Sequence, residues 1–211
     1  MSRPALRELT TTSYAVLGLL AVRPWSTYEL AKQMARNLRF FWPRAESNIY
    51  AEPKRLVEDG LAESRSQPVG RRRRTVYTIK PAGRRVLEQW LAEPAAPSRL
   101  ESETLVKLMF ANYGTKEALL EHLRQYRDQV AEKQSTLETI FGEYRRGEDP
   151  FPERLHINIV AYRLLWEMAQ AETTWANWAF TEVERWTHVD APADRSSLLA
   201  ALPAQSRSPD T

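Results

Sequence analysis

Residues 47–80 read SNIYAEPKRLVEDGLAESRSQPVGRRRRTVYTIK, and this stretch decides the fold. Its first half places Ile49, Tyr50, Leu56 and Val57 at helical spacing, with Gly60 where a helix can end in the left-handed conformation that side chains resist. The spacing predicts a helix from about 45 to 59. Pro53 falls inside it, and its ring is expected to meet the carbonyl of Ile49 and force a kink or a short irregular turn. The second half has strand character over Leu61 to Gln67 and Thr75 to Lys80. Pro68-Val69-Gly70 and the run Arg71, Arg72, Arg73, Arg74 join the two, so the stretch reads as a hairpin with the arginines in its turn.

Upstream, Tyr14, Val16, Leu17, Leu20 and Ala21 recur at helical spacing behind the N-cap candidates Thr10 to Ser13. Pro24 and Trp25 stop that first helix. Ser26 and Glu29 form a capping box, in which hydroxyl and carboxylate each satisfy a free backbone N–H, and open a second helix of about Thr27 to Asn37. The aromatic run Phe40 to Pro43 is a loop. Downstream, Pro81 suits the first position of a fourth helix through Val86, Leu87, Trp90 and Leu91.

Three helices, a hairpin and a further helix, in that order, make a winged helix-turn-helix, so the fold class is mainly α with a small β-hairpin wing. In that arrangement the third helix enters the major groove. Arg44, Ser47, Asn48 and Tyr50 cluster at its start, Lys54 and Arg55 lie further along it, and Arg71 to Arg74 occupy the wing. Arginine and asparagine can bond base edges bidentately, whereas the wing's guanidinium groups suit phosphates and a narrow minor groove. Tyr50 suits phosphate contact or internal packing equally. Charge follows the same division: residues 1–93 hold 17 Lys and Arg against 9 Asp and Glu, and residues 94–211 hold 13 against 18. A basic half followed by an acidic one implies that the first meets a polyanion.

Pro94-Ala95-Ala96-Pro97-Ser98 is a semi-rigid connector, and everything beyond it reads as helical. Domains are expected at 1–93 and 98–187, with 188–211 a disordered tail rich in Pro, Ser, Ala and Asp. After a helix of about Ser102 to Tyr113, a long helix from Thr115 to Tyr144 repeats Leu119, Leu123, Tyr126, Val130 and Leu137, interrupted by Lys133. A second, Glu153 to Trp186, carries Leu165 and Val183 on a comparable seam. A seam this long needs a partner, and these positions are expected to hold a homodimer that presents two recognition helices to a pseudo-palindromic duplex. Tyr162, Trp166, Trp175 and Trp178 suit an aromatic effector pocket or, as the stronger reading, core packing.

Leu9 to Leu20, Ser26-Thr-Tyr-Glu-Leu30, Ser47-Asn-Ile-Tyr50, Lys54-Arg-Leu56, Gly60-Leu61 and Arg74-Thr-Val-Tyr-Thr-Ile79 with Gly83 resemble the PadR family of bacterial transcriptional regulators. The resemblance covers about residues 9 to 93, and the helical remainder is similar to the family's longer C-terminal dimerisation domain. It implies a repressor relieved by a small molecule, often a phenolic acid or drug-like compound. Pro53 departs from the commoner pattern, which has an apolar residue there, often Leu.

Other classes find little support. No cysteine is present, which removes disulfides and thiolate chemistry and suits the cytosol. Arg3 and Arg7 before the apolar run Tyr14 to Val22 imitate a signal peptide poorly, with no cleavage site following. No run reaches the ~18 apolar residues of a membrane span. His122, His156 and His188 stand beside no nucleophile motif, and Glu153-x-x-His156 is half of a di-iron site without a second copy. Neither enzyme activity, a metal nor a cofactor is expected. The alternative is a helical interaction or effector-binding protein whose basic half touches acidic partners or membrane instead of DNA.

Overall fold

The computed structural model describes residues 7–37, 40, 42, 46–69, 72–190 and 195–202, and the side chains of these except residues 37, 46–48, 69, 72, 195 and 197. The chain divides into two compact units, 1–98 and 99–211.

In the first unit, helix α1 (Thr11–Val22) starts at a reciprocal cap: the Ser13 N–H donates to Thr10 Oγ1 (3.3 Å) and the Thr10 N–H to Ser13 Oγ (3.0 Å). Its Val16, Leu17 and Leu20 are buried in the core. A two-residue strand, β1 (Trp25–Ser26), precedes helix α2 (Thr27–Asn37). The expected capping box is present, the Glu29 N–H donating to Ser26 Oγ (3.3 Å) and the Ser26 N–H to Glu29 Oε2 (2.8 Å). Helix α3 (Glu46–Glu58) runs through Pro53 without the expected irregular turn. Proline removes one donor from the helix, and here its ring lies in the core with Leu56, where burial offsets that loss. Gly60 at φ 72° ends the helix as expected. The Leu61 N–H reaches the Leu56 carbonyl (2.9 Å) and the Gly60 N–H that of Val57 (3.0 Å), the paired bonds of a Schellman motif.

Strands β2 (Ala62–Val69) and β3 (Arg72–Ile79) are longer than their apolar pattern predicts. The antiparallel register runs from Ala62↔Ile79 through Gln67↔Arg74 and Pro68↔Arg73 to Val69↔Arg72. Arg72, Arg73 and Arg74 therefore belong to the strand and not, as expected, to the turn. The described strands have the order β1-β3-β2, so β2 is an edge, and Pro68 is tolerated there because an edge residue can spare its missing N–H. Helix α4 (Pro81–Ala92) begins with its proline at N1 and stacks Trp90 on Tyr14 of α1 at 4.5 Å and 4°. At Gly83 an added Cβ would stand 2.3 Å from the Leu61 carbonyl oxygen and 2.9 Å from Ile79. Glycine is needed there for close approach of backbones.

The second unit is built on two long helices, α6 (Lys116–Arg145) and α7 (Leu155–Arg185), preceded by the short α5 (Glu103–Met109). The helix expected to reach Tyr113 ends at Met109, because Phe110 leaves helical dihedrals, and a 3-10 turn at Ala111–Tyr113 leads to the α6 cap at Thr115. Leu119, Leu123, Val130, Leu137 and Ile140 of α6 meet Leu165, Ala169, Ala176, Ala179 and Val183 of α7 in a buried seam. Alanines at full burial bring the helix axes close. Lys133, which interrupts the apolar series, pairs with Glu172 at 2.8 Å, so the charge is matched across the helix pair. Lys116 Nζ donates to the carbonyls of Glu184 (2.8 Å) and Trp186 (2.6 Å) at the end of α7, where a cation also complements the helix dipole. Helix α8 (Arg195–Ala200) stands in the segment expected to lack structure. Leu198, Leu199, Ala200 and Ala201 are strong helix formers that the surrounding proline-rich composition conceals.

Candidate nucleic-acid interface

Helix α3 is amphipathic about one buried line. Ile49, Glu52, Pro53 and Leu56 face inward, whereas Tyr50, Lys54 and Arg55 are exposed. Tyr50 is 36% accessible, which places it at the rim of the helix instead of in the core. Ser47 and Asn48 occupy the first turn of α3. Arg44 and Arg71 lie outside the described residues, and Arg72 is placed by its backbone at the start of β3.

Arg73 and Arg74 are exposed. Successive strand residues point to opposite faces, so Arg73 and Arg74 leave β3 on opposite sides. Arg74 Nη1 lies 3.7 Å from Glu29 Oε1, linking the wing to the start of α2. Glu29 is thereby drawn into four interactions. Its carboxyl is held below the usual carboxylate range first by the Ser26 hydroxyl, against a cost of burial, and then by the Ser26 N–H and the charges of Arg74 and Arg23.

Two features escaped the sequence reading. Tyr28, 69% accessible, and Lys32 stand one turn apart on the outer side of α2, the helix that in this motif crosses the phosphate backbone. Their i, i+4 spacing was the available signal. The other is Arg7, whose Nε donates to Asp59 Oδ2 at 2.8 Å and whose Nη2 donates to Glu52 Oε1.

In the second unit the expected dimerisation residues need correction. Leu119, Leu123, Val130, Leu137, Leu165 and Val183 are all buried within the single chain, and Tyr126 packs edge-on against Trp175 at 5.5 Å. Burial, then the nearby Glu172 charge, pushes the Tyr126 hydroxyl pKa up. The α6–α7 pairing covers most of this seam within one chain, with Tyr126 only partly buried. Apolar surface remains elsewhere: Val106, Met109 and Phe110 at α5, and Ile157, Val160, Leu164 and Met168 along α7.

The four aromatic positions do not form one pocket. Tyr162 and Trp166 both pack edge-on against Phe141 at 6.3 and 5.7 Å. Trp175 lies nine residues further along α7, about 13 Å away, and Trp178 is 46% accessible.

Comparison with known proteins agrees with both halves. Residues 16–89 match the transcriptional regulator PadR-like family, and residues 101–184 match the family described as virulence activator alpha C-term. The negative transcriptional regulator PadR of Bacillus subtilis is 27% identical over 135 residues, covering 63% of this chain and 72% of the relative. The probable transcriptional regulator Rv1176c of Mycobacterium tuberculosis is 32% identical over 149 residues, covering 65% of this chain and 77% of the relative. The crystal structure of B. subtilis PadR in complex with operator DNA superposes with a TM-score of 0.70 at 20% identity, over 82% of this chain and 99% of that one. The same protein in complex with p-coumaric acid gives 0.61 at 21% identity, over 83% and 100%. At these identities the superpositions establish the winged helix-turn-helix fold with a helical second unit. With family matches running through both units, the chain belongs to the PadR-like family of transcriptional regulators.

Proposed function

We propose that this regulator binds duplex DNA as a homodimer, represses transcription, and is released by an aromatic or drug-like small molecule. The observation that carries the DNA reading is the outward line Tyr50, Lys54 and Arg55 on α3, in the same unit as a strand bearing Arg73 and Arg74. Arg44, Ser47, Asn48, Arg71 and Arg72 complete the interface in this reading. Arg44 and Asn48 read bases, and the wing arginines contact phosphates or the minor groove. Residues 1–93 serve as the DNA-binding domain and 98–187 as the dimerisation domain. The apolar faces of α5 and α7, uncovered in one chain, support the homodimer. Cytoplasmic placement follows from the DNA partner.

Repression takes its support from the negative regulator among the relatives. Effector release takes its support from the relative solved with p-coumaric acid. Selection of bound duplexes from a randomised pool, read at increasing salt, tests the reading. An enriched pseudo-palindrome is expected, with affinity falling by roughly 0.9 log units per log unit of salt for each phosphate contacted. Equal binding of all duplexes and of anionic vesicles would instead support the acidic-partner alternative.

A further inference from the structure

Glu52 sits on the inner face of the proposed recognition helix with its side chain 5% exposed. A carboxylate so far from water needs a cation close by. Two are within reach. Arg7 Nη2 donates to Oε1, while Arg55 Nη1 stands 3.8 Å from Oε2, beyond hydrogen-bond range. Arg7 also bonds Asp59, seven residues from Glu52 and just past the end of α3, on the same side two turns on. One guanidinium thus spans the inner side of the helix and matches Glu52 within it and Asp59 just past its end. Arg55 remains 55% exposed.

We propose that Arg7 is a positioning residue for the DNA interface: by satisfying Glu52 and Asp59 it leaves Arg55 turned outward for a phosphate. This inference rests on the DNA-binding reading above. Without Arg7, the buried carboxylate keeps its need for a cation, and Arg55 is the one nearby on the same helix. An inward movement of about 1 Å would give Arg55 a charge-assisted hydrogen bond to Glu52 and commit its guanidinium to that carboxylate instead of to a phosphate. The arm ahead of α1 therefore controls a contact that it does not itself make.

The test uses the full chain and a duplex of about 30 base pairs, three helical turns, chosen by the wild type from a randomised pool. R7M and R55A are each expected to weaken binding about tenfold and to lower the salt slope by about 0.9. R7M/R55A is expected within about twofold of R55A, because both changes remove the same contact. R7M/E52Q is expected within about twofold of E52Q, since a neutral amide no longer draws Arg55 inward. A structural role alone would lower thermal stability but let the R7M and R55A losses multiply, and that result overturns the inference. So does an R7M protein that binds as the wild type does. If R7M loses its helical signal, R7M/E52Q replaces it as the background. Adding R55A there must cost the full tenfold, and a smaller loss rejects the inference. A wild type that binds no duplex removes the DNA reading itself, whereas a wild type that binds while R7M matches it removes only the role of Arg7.

Discussion

The two units enclose their cores by different means. In 1–98, short elements approach from several directions, and Leu17, Leu20, Leu30, Leu56 and Leu61 reach full burial inside one chain. In 99–211, two long helices cover one face of each other, and a neighbouring face of α7 still offers Ile157, Val160, Leu164 and Met168 to solvent. Short elements can wrap a core, but a pair of rods cannot. The first unit thus buries its central leucines within one chain, and the second is expected to finish its burial with another copy.

The largest effect expected from breaking this contrast is at Gly83. Gly83→Val would force a side chain into the Leu61 carbonyl, at a cost of about 4 kcal/mol or more. DNA binding should vanish while solution mass stays at twice 24.4 kDa, because the second unit is untouched. Loss of the dimer as well would show that the units do not fold separately. Next comes Leu123→Ala, which removes a fully buried side chain from the α6–α7 seam and should cost about 3 kcal/mol. Calorimetry on the full chain would measure it.

A smaller effect is expected on the open side of α7. Leu164 is 63% accessible, so Leu164→Glu should leave helical content unchanged yet weaken self-association by about 2 kcal/mol, roughly 30-fold. Sedimentation across a dilution series would detect it, and an unaltered dimer would move the interface to α5. Smallest is the α2 cap, where Ser26→Ala should cost about 1 kcal/mol. The Glu29 carboxyl is depressed in the folded state by Ser26, Arg74 and Arg23. Its contribution is present above the unfolded carboxylate's pKa and is lost as pH falls through the lower folded value. Wild type and Glu29→Gln should therefore differ in thermal stability at neutral pH and converge in acid. A gap that persists in acid would assign the effect to packing.

Local signals in the sequence were read well. The Ser26–Glu29 cap, Gly60 and Pro81 each act within a few residues of their own position, and each appears in the structure as expected. What failed depended on distant partners. The arginine run looked like a turn because strand character was sought in apolar alternation, whereas Arg72 to Arg74 are held extended by the register with Gln67, Pro68 and Val69. Strand β1 is two residues long, too short for any period. Periodicity showed that Leu123, Leu137 and Leu165 needed cover but not what would provide it. On α7 the exposed Val160 and Leu164 interleave with buried Tyr162 and Leu165, so its outer stripe is hidden in a helix apolar on several sides. Arg7 was passed over because its acids lie 45 and 52 residues away.

The position of β2 at the rim of the sheet bears on how the chain behaves in crowded solution. An open strand offers unpaired backbone groups to any other extended chain, the starting point for aggregation. β2 carries Glu63, Arg65 and Pro68 on this rim. An invading strand would have to desolvate charges and would find no donor at the proline. The opposite rim, β1, is two residues long, too short to serve as a template. The hairpin can thus stay extended in concentrated solution without recruiting other hairpins into a growing sheet.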